Sequence, residues 1–321
     1  MRVAVIGVGH LGSRHAEIYA GMPGVQLVAV CDLDAARANA LSQRLRCESV
    51  TDFRQLLGRI DAASLAVPTS LHAQLGQPLL ASGIHLLIEK PIATTLNDAD
   101  RLIRAAAAHR CALQIGHVER FNAAISTALS HLTRPRFIEV HRLSPYPFRG
   151  TDVSVILDVM IHDLDLLLLV VEPPIARIDA VGVSVLSASE DIANARVTFR
   201  SGCTANLTAS RISDETMRRI RVFQEDSYLS IDYKAQTVEL ARLTARQARK
   251  GDQAIERVNL PVNQRPPLQD ELASFIRAVT TKQPPLVSGE DGRAALALAL
   301  RIEHAMRRSR NRDPRHMTHD T

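Results

Sequence analysis

Apolar residues in the first third of the chain fall in short, nearly unbroken runs, and between the runs polar and apolar positions alternate at helical spacing. The runs cover residues 2–8, 25–32, 62–68, 84–89 and 112–117. Runs without a polar face suit strands covered on both sides, and helices at 34–46 and 97–110 supply the crossovers of a parallel sheet. Asn97, with Asp98 and Asp100 behind it, is the expected cap of the second helix. A helix at 119–132 follows, and from about residue 135 the pattern changes. Strand-like runs at 193–200, 203–211, 219–225, 228–233 and 237–243 succeed one another across tight turns such as Ser201-Gly202, which predicts an antiparallel sheet. Helices at 268–282 and 289–308 flank the Pro284-Pro285 break.

The predicted fold is an α/β N-terminal Rossmann domain at 1–118. An α+β C-terminal domain at 119–308 carries a large, mainly antiparallel open sheet, and 309–321 is a basic tail. A length of 321 residues suits two domains. With 46% hydrophobic residues, 3% aromatic and no Trp, aliphatic side chains must fill the cores.

Gly7, Gly9 and Gly12 leave the first strand as Gly-x-Gly-x-x-Gly. In a strand-turn-helix setting Gly7 serves the tight turn, Gly9 lets the backbone approach a pyrophosphate, and Gly12 lets the helix pack close to the sheet. The phosphates then meet backbone N–H groups at the helix start, around His10 and Leu11. Asp32 ends the second strand about 20 residues on, where a carboxylate bonds the ribose hydroxyls and repels the extra phosphate of NADP. NAD is therefore the expected cofactor. The competing reading is that Asp32 merely caps the helix beginning near residue 34.

Composition removes several function classes. Cys31, Cys47, Cys111 and Cys203 are scattered with no C-x-x-C pair, so neither a zinc site nor a disulfide framework is expected, and no metal. The net charge of +5 owes much to Arg307, Arg308, Arg310, Arg312 and Arg315 in the tail. No aromatics interleave with them, and nucleic acid is not an expected partner. The apolar stretch near residue 160 is too short and too charged to span a bilayer. No leader precedes the first strand, and the cytoplasm is the expected compartment.

Candidate chemistry gathers at three places. Glu89-Lys90-Pro91 closes the fourth run, at the strand edge where open α/β sheets bind ligands. Lys90 there would donate to a substrate hydroxyl, and Pro91 would hold the turn, with a cis imide as one option. Glu89, Lys90, Pro68, Thr69 and His72 are expected along the cofactor, although His72 would equally cap or pack. Next, Asp158, His162 and Asp165 stand at i, i+4 and i+7 on a mostly apolar helix and so share one face. A carboxylate beside a histidine suits a general base, and an Asp–His pair also occurs simply to solubilise a helix. Finally, Gly116-His117-Val118-Glu119-Arg120-Phe121-Asn122 lies at the predicted domain crossover, where His117 and Arg120 would face substrate while Phe121 packs a hinge.

Taken together, Gly7-x-Gly9-x-x-Gly12, Glu89-Lys90-Pro91 and Asp158-x-x-x-His162 resemble the Gfo/Idh/MocA oxidoreductases over almost the whole chain. The resemblance implies an NAD(P)-dependent dehydrogenase of a sugar or cyclitol alcohol, with no metal. His162 would take the hydroxyl proton, Lys90 would polarise the same oxygen, and Asp158 would hold the site; the first two roles are exchangeable. The family commonly forms homodimers or homotetramers through its open sheet.

The runs 116–122, 142–152 and 158–165 further resemble a branch acting on UDP-N-acetylglucosamine at the glucosamine C3 hydroxyl in lipid A biosynthesis. That implies a UDP-sugar substrate and a partner aminotransferase for the 3-keto product. Arg142 and Arg149 would then pair with the diphosphate and Tyr146 would stack, although a loop entering a helix also carries such residues for other reasons. Alternatives are a dehydrogenase of another nucleotide sugar such as a uronic acid, a free-sugar or inositol dehydrogenase, and a non-catalytic NAD-sensing regulator.

Overall fold

The computed structural model describes residues 1–146, 154–243 and 255–310. The chain forms two compact units, one of Met1–Val118 with Pro266–Leu296, the other of Glu119–Arg265 with the chain from Ala297 onward.

In the first unit β1 (Arg2–Ile6), β2 (Gln26–Cys31), β3 (Glu48–Val50), β4 (Ala62–Leu65), β5 (His85–Glu89) and β6 (Leu113–Gly116) form one sheet in the order β3-β2-β1-β4-β5-β6. Every neighbouring pair is parallel. The order reverses beside β1, the switch point outside whose carboxyl ends such sheets take ligands. The crossovers include α1 (His10–Ala20), α2 (Ala35–Leu45), α3 (His72–Ala81) and α4 (Leu96–Ala108). Val3, Val5, Val30, Ala62 and Leu87 from the strands pack with Ala16 and Tyr19 of α1 and Leu41 of α2. Two details differ from expectation. The strand β3 is three residues long, too short to leave a sequence pattern. The cap of α4 is Thr95, whose hydroxyl accepts from the Asp98 N–H at 3.1 Å, and Asn97 lies inside the helix.

A 3₁₀ turn at Val118–Phe121 leads out of the first unit and α5 (Ala123–Leu129) follows in the second, where one continuous helix was expected. Asn122 separates them, its side chain accepting from the Ala124 N–H. Next come β7 (Phe137–Leu143), a π-helical turn at Ile156–Met160 and α6 (Ile161–Val170). The strands β8 (Ile175–Val183), β9 (Ile192–Phe199), β10 (Thr204–Ser210), β11 (Met217–Phe223), β12 (Ser227–Asp232), β13 (Thr237–Leu243) and β14 (Ile255–Leu260) complete the sheet. Its order is β14-β13-β12-β11-β7-β10-β9-β8, antiparallel except where β7 runs parallel to β10. Ile138, Val140, Val197, Leu207, Ile220 and Val222 bury one face against Met160, Leu164 and Leu167.

The closing helices depart from the expected boundaries. α7 (Pro267–Thr281) and the first turns of α8 (Gly289–Arg310) belong to the first unit, because Leu272 and Phe275 of α7 enter the cluster around Tyr19 and α7 packs on α1. Later residues of α8, Leu298, Ala299, Ile302 and Met306, join the core under the second sheet. No helix among the described residues is long and apolar enough to cross a membrane.

A buried polar network ties α6 to the second sheet. Arg142 of β7 is 5% exposed and donates from Nε and Nη2 to Asp163 at 2.9 and 3.1 Å, and to Glu119 at 3.2 Å. Its guanidinium lies 5.0 Å from the centre of the Tyr233 ring, and the Tyr233 hydroxyl donates to Asp163. Burial, with the Asp163 and Glu119 charges, holds the Tyr233 phenol well above its usual range despite Arg142. Asn122 closes the set, donating to the Tyr233 carbonyl at 2.7 Å and to Glu119 at 3.3 Å. Removing one partner strands the others in low dielectric, so Asp163→Ala is expected to cost about 3–5 kcal/mol. Urea unfolding would show this as a lower midpoint at unchanged m-value.

Candidate active site

The glycine turn after β1 is built to take a phosphate. Gly7 has φ +83°, and a Cβ there would meet the Ala66 carbonyl oxygen at 2.6 Å. A Cβ at Gly12 would stand 1.8 Å from the Gly7 carbonyl oxygen, so only glycine lets α1 approach the turn this closely. Gly9 caps α1 with no side-chain hydrogen bond, and a Cβ there would meet nothing within 4 Å. An open helix N-terminus with unsatisfied N–H groups beside room for a ligand fits a pyrophosphate. His10 is exposed and Leu11 half-buried at this mouth.

Asp32 sits one residue past β2, where the sequence placed it. One carboxylate oxygen accepts from the Val8 N–H at 2.9 Å and the other from the Asp34 N–H at 2.9 Å. The cap of α2 is Asp34, which accepts from the Arg37 N–H at 3.0 Å. Asp32 is therefore not the helix cap. Arg37, which the sequence reading missed, brings its guanidinium to 3.4 Å from Asp32 and 3.2 Å from Asp34.

The Glu89-Lys90-Pro91 turn is held at both ends. The Lys90–Pro91 peptide is cis and Lys90 is half-buried. His72 is fully buried, with Nδ1 2.9 Å from the Pro91 carbonyl oxygen and Nε2 3.0 Å from that of Val67. Burial pushes its pKa down, against the opposing pull of the two carbonyl oxygens. Expected along the cofactor, His72 instead ties the turn after β4 to the turn after β5. Pro68 and Thr69 lie at the start of the segment it anchors, exposed and half-buried. The Glu89 carboxylate also differs from expectation: it lies 3.2 Å from His15 Nε2 and accepts from the Lys90 N–H at 3.3 Å. With Glu271 of α7 these form a buried group whose donor atoms all lie within 4.8 Å of one another. No local signal could reveal it, because the three residues come from distant parts of the chain.

In the second unit the π-helical turn at Ile156–Met160 holds Asp158, and His162 stands in the first turn of α6; both are half-buried. A π turn inserts a residue into the helical phase and is frequent at functional sites. The stripe expected through Asp165 is broken, since Asp165 is 1% exposed and takes a two-pronged pair from Arg120 at 2.7 and 2.8 Å. Arg120 and Arg142, expected to face substrate, are thus committed to Asp165 and to Asp163 with Glu119. His117 is buried at 1% exposure. Tyr146 is half-buried, and Arg149 lies outside the described residues.

Comparison with known proteins decides the family. Residues 1–117 match the family model described as an oxidoreductase family with an NAD-binding Rossmann fold, and residues 115–230 match the GFO/IDH/MocA C-terminal domain. The chain belongs to the Gfo/Idh/MocA family. It is similar to the UDP-N-acetylglucosamine 3-dehydrogenase of Acidithiobacillus ferrooxidans, with 37% identity over 95% of this chain and 97% of that one. The solved structure of that enzyme superimposes with a TM-score of 0.88. The myo-inositol 2-dehydrogenase of Thermotoga maritima is 27% identical over 97% of this chain and 98% of its own. A scyllo-inositol dehydrogenase of Lactobacillus casei, 19% identical with a TM-score of 0.80 over 96% of this chain and 97% of its own, shares the fold.

As a Gfo/Idh/MocA member the protein is an oxidoreductase with an NAD-binding amino-terminal domain. Gly7, Gly9 and Gly12 with the backbone at His10 and Leu11 would hold the pyrophosphate, and Asp32 the adenosine ribose. Asp32→Ala removes the charge that repels a 2′-phosphate and leaves Arg37 in place to pair with one. Titrations of NADH and NADPH fluorescence are expected to show a weakened preference for NADH in this variant; an unchanged ratio would make Asp32 a turn residue only.

Proposed function

We propose that the protein oxidises the C3 hydroxyl of UDP-N-acetylglucosamine to the 3-keto sugar in an NAD-dependent reaction. The observation that carries this reading is 37% identity over 95% of the chain to an enzyme named for that activity. Lys90, Asp158 and His162 supply the groups the chemistry requires. NAD, held by the glycine turn, would supply the hydride acceptor for C3. His162 accepts the hydroxyl proton, Asp158, one helical turn before it, orients the imidazole, and Lys90 donates to the same oxygen. Hydride and proton together make up the two hydrogens lost, and the products are the ketone, NADH and a protonated base.

The 3-keto sugar is then a substrate for a partner aminotransferase, giving a 2,3-diamino sugar of the kind that enters lipid A. We place this reaction in the cytoplasm, catalysed by a homodimer or homotetramer. An inositol dehydrogenase is the second reading, favoured by the 27% identical relative. A nucleotide-sugar enzyme should be stabilised against heat by UDP alone, as any ligand of the folded state stabilises it, and a polyol enzyme should not.

The direct test follows NADH formation from NAD and UDP-N-acetylglucosamine, with an aminotransferase and glutamate to pull the equilibrium. A product lighter by two hydrogens supports the reading. No turnover alongside UDP stabilisation moves the assignment to another nucleotide sugar, and turnover of inositol without a UDP effect moves it to a polyol. Lys90→Ala and His162→Ala are each expected to lower kcat by about 10²–10⁴-fold, the usual loss for an acid–base group. Titration with NADH should show binding retained in both, and a variant that loses binding but keeps turnover would sink the role assigned to it.

A further inference from the structure

Beneath the Lys90 turn lies a group of ionisable side chains that the proposed reaction does not use. His15 of α1 and Glu271 of α7 are fully buried, and Glu89 of β5 is 8% exposed. The Glu89 carboxylate is enclosed from several sides. One oxygen lies 3.2 Å from His15 Nε2, and the other accepts from the Lys90 N–H at 3.3 Å. At Gly116 of β6 a Cβ would meet three atoms of that carboxylate group at 2.9 Å, so the neighbouring strand leaves it room only by being glycine there. Glu271 completes the group, its donor atom within 4.8 Å of the other two. The backbone of α7 is fixed at this point, because the Gln114 side-chain amide donates to the Glu271 carbonyl at 3.1 Å. Tyr19 stands one turn after His15, and burial holds its phenol well above the usual range despite a hydrogen bond with Ser64.

Two carboxylates and an imidazole thus meet in one buried space. Such an arrangement is a costly way to fill a core, where aliphatic side chains would serve. What it achieves is local. It fixes the last side chain of β5, and that side chain fixes the backbone N–H of Lys90.

We infer that His15 and Glu271 are positioning residues for Lys90, acting through the Glu89 carboxylate that holds the Lys90 backbone. The inference rests on the proposed role of Lys90, and its test includes a readout that needs no substrate. Lys90 is one of only four lysines in the chain, with Lys234, Lys250 and Lys282, so acylation of its amine is readily followed by peptide mass spectrometry.

In Glu271→Gln and His15→Gln, measured on the full-length protein, a loosened turn exposes the amine. The acylation rate of Lys90 is expected to rise about threefold or more relative to Lys234 and Lys282, as for a segment that opens locally. With UDP-N-acetylglucosamine, kcat is expected to fall about tenfold or more while KM and NADH affinity hold, because a small misplacement of a reacting group is costly. Should the wild type not turn over this sugar, the function reading fails and the acylation ratio still decides the inference. An unchanged Lys90 rate in folded variants overturns it. So does failure of both variants to fold, which would make the group a scaffold element. Activity lost on chelation and restored by zinc would overturn it too, assigning the three side chains to a metal.

Discussion

His72 spans the Val67 and Pro91 carbonyl oxygens, and His15 lies against the Glu89 carboxylate that accepts from the Lys90 N–H. These contacts grip the turn leaving β5 at both ends. A lysine side chain carries several rotatable bonds, and a lysine on a free loop would spend much of its binding energy on ordering itself. Fixing the backbone on either side removes the main-chain share of the ordering cost before substrate arrives. The Rossmann sheet, read this way, does more than receive a dinucleotide: its buried polar side chains hold the turn that carries Lys90.

The second unit applies the same principle with different residues. A helix carrying Asp158, His162, Asp163 and Asp165 must place four polar groups beside an apolar core. Arg142 and Arg120 neutralise Asp163 and Asp165, and Tyr233 adds a hydroxyl to Asp163. Asp158 and His162 remain half-buried, on the stretch where the π turn changes the helical phase. Guanidinium groups make two-pronged bonds that fix a helix, and half-buried Asp158 and His162 are the pair to which the proposed reaction gives the proton exchange.

Much of this was legible in the sequence, and the failures have physical causes. Five of the six parallel strands announce themselves as apolar runs, and the glycine turn, Asp32 and Lys90 stand where motif spacing puts them. β7, β8 and β14 escape because many of their residues face outward, as in Phe137-Ile138-Glu139-Val140-His141-Arg142, and dilute the apolar signal. The acid partners of Arg120 and Arg142 escaped notice for a related reason. Local sequence does not show what an arginine pairs with, since the partners of Arg142 are 21 and 23 residues away and the Asp165 partner of Arg120 is 45 away. α7 shows the same limit at the level of whole elements, since nothing local in Leu272 or Phe275 says which core they enter.

The choice of cation carries one more argument. Of 39 basic residues only four are lysines, so arginine is this chain's ordinary means of placing a positive charge. Every Lys/Arg–carboxylate pair described in the buried networks uses arginine, which suits fixed, planar pairing and does not give up its proton. A lysine at the end of β5 breaks that habit. An ammonium group donates in any direction and can release its proton, and arginine at position 90 would provide the charge without that chemistry. The surrounding structure spends two buried histidines and two buried carboxylates on one short turn. Such an outlay is intelligible where the residue held there must meet a substrate oxygen at a fixed position, as proposed for Lys90.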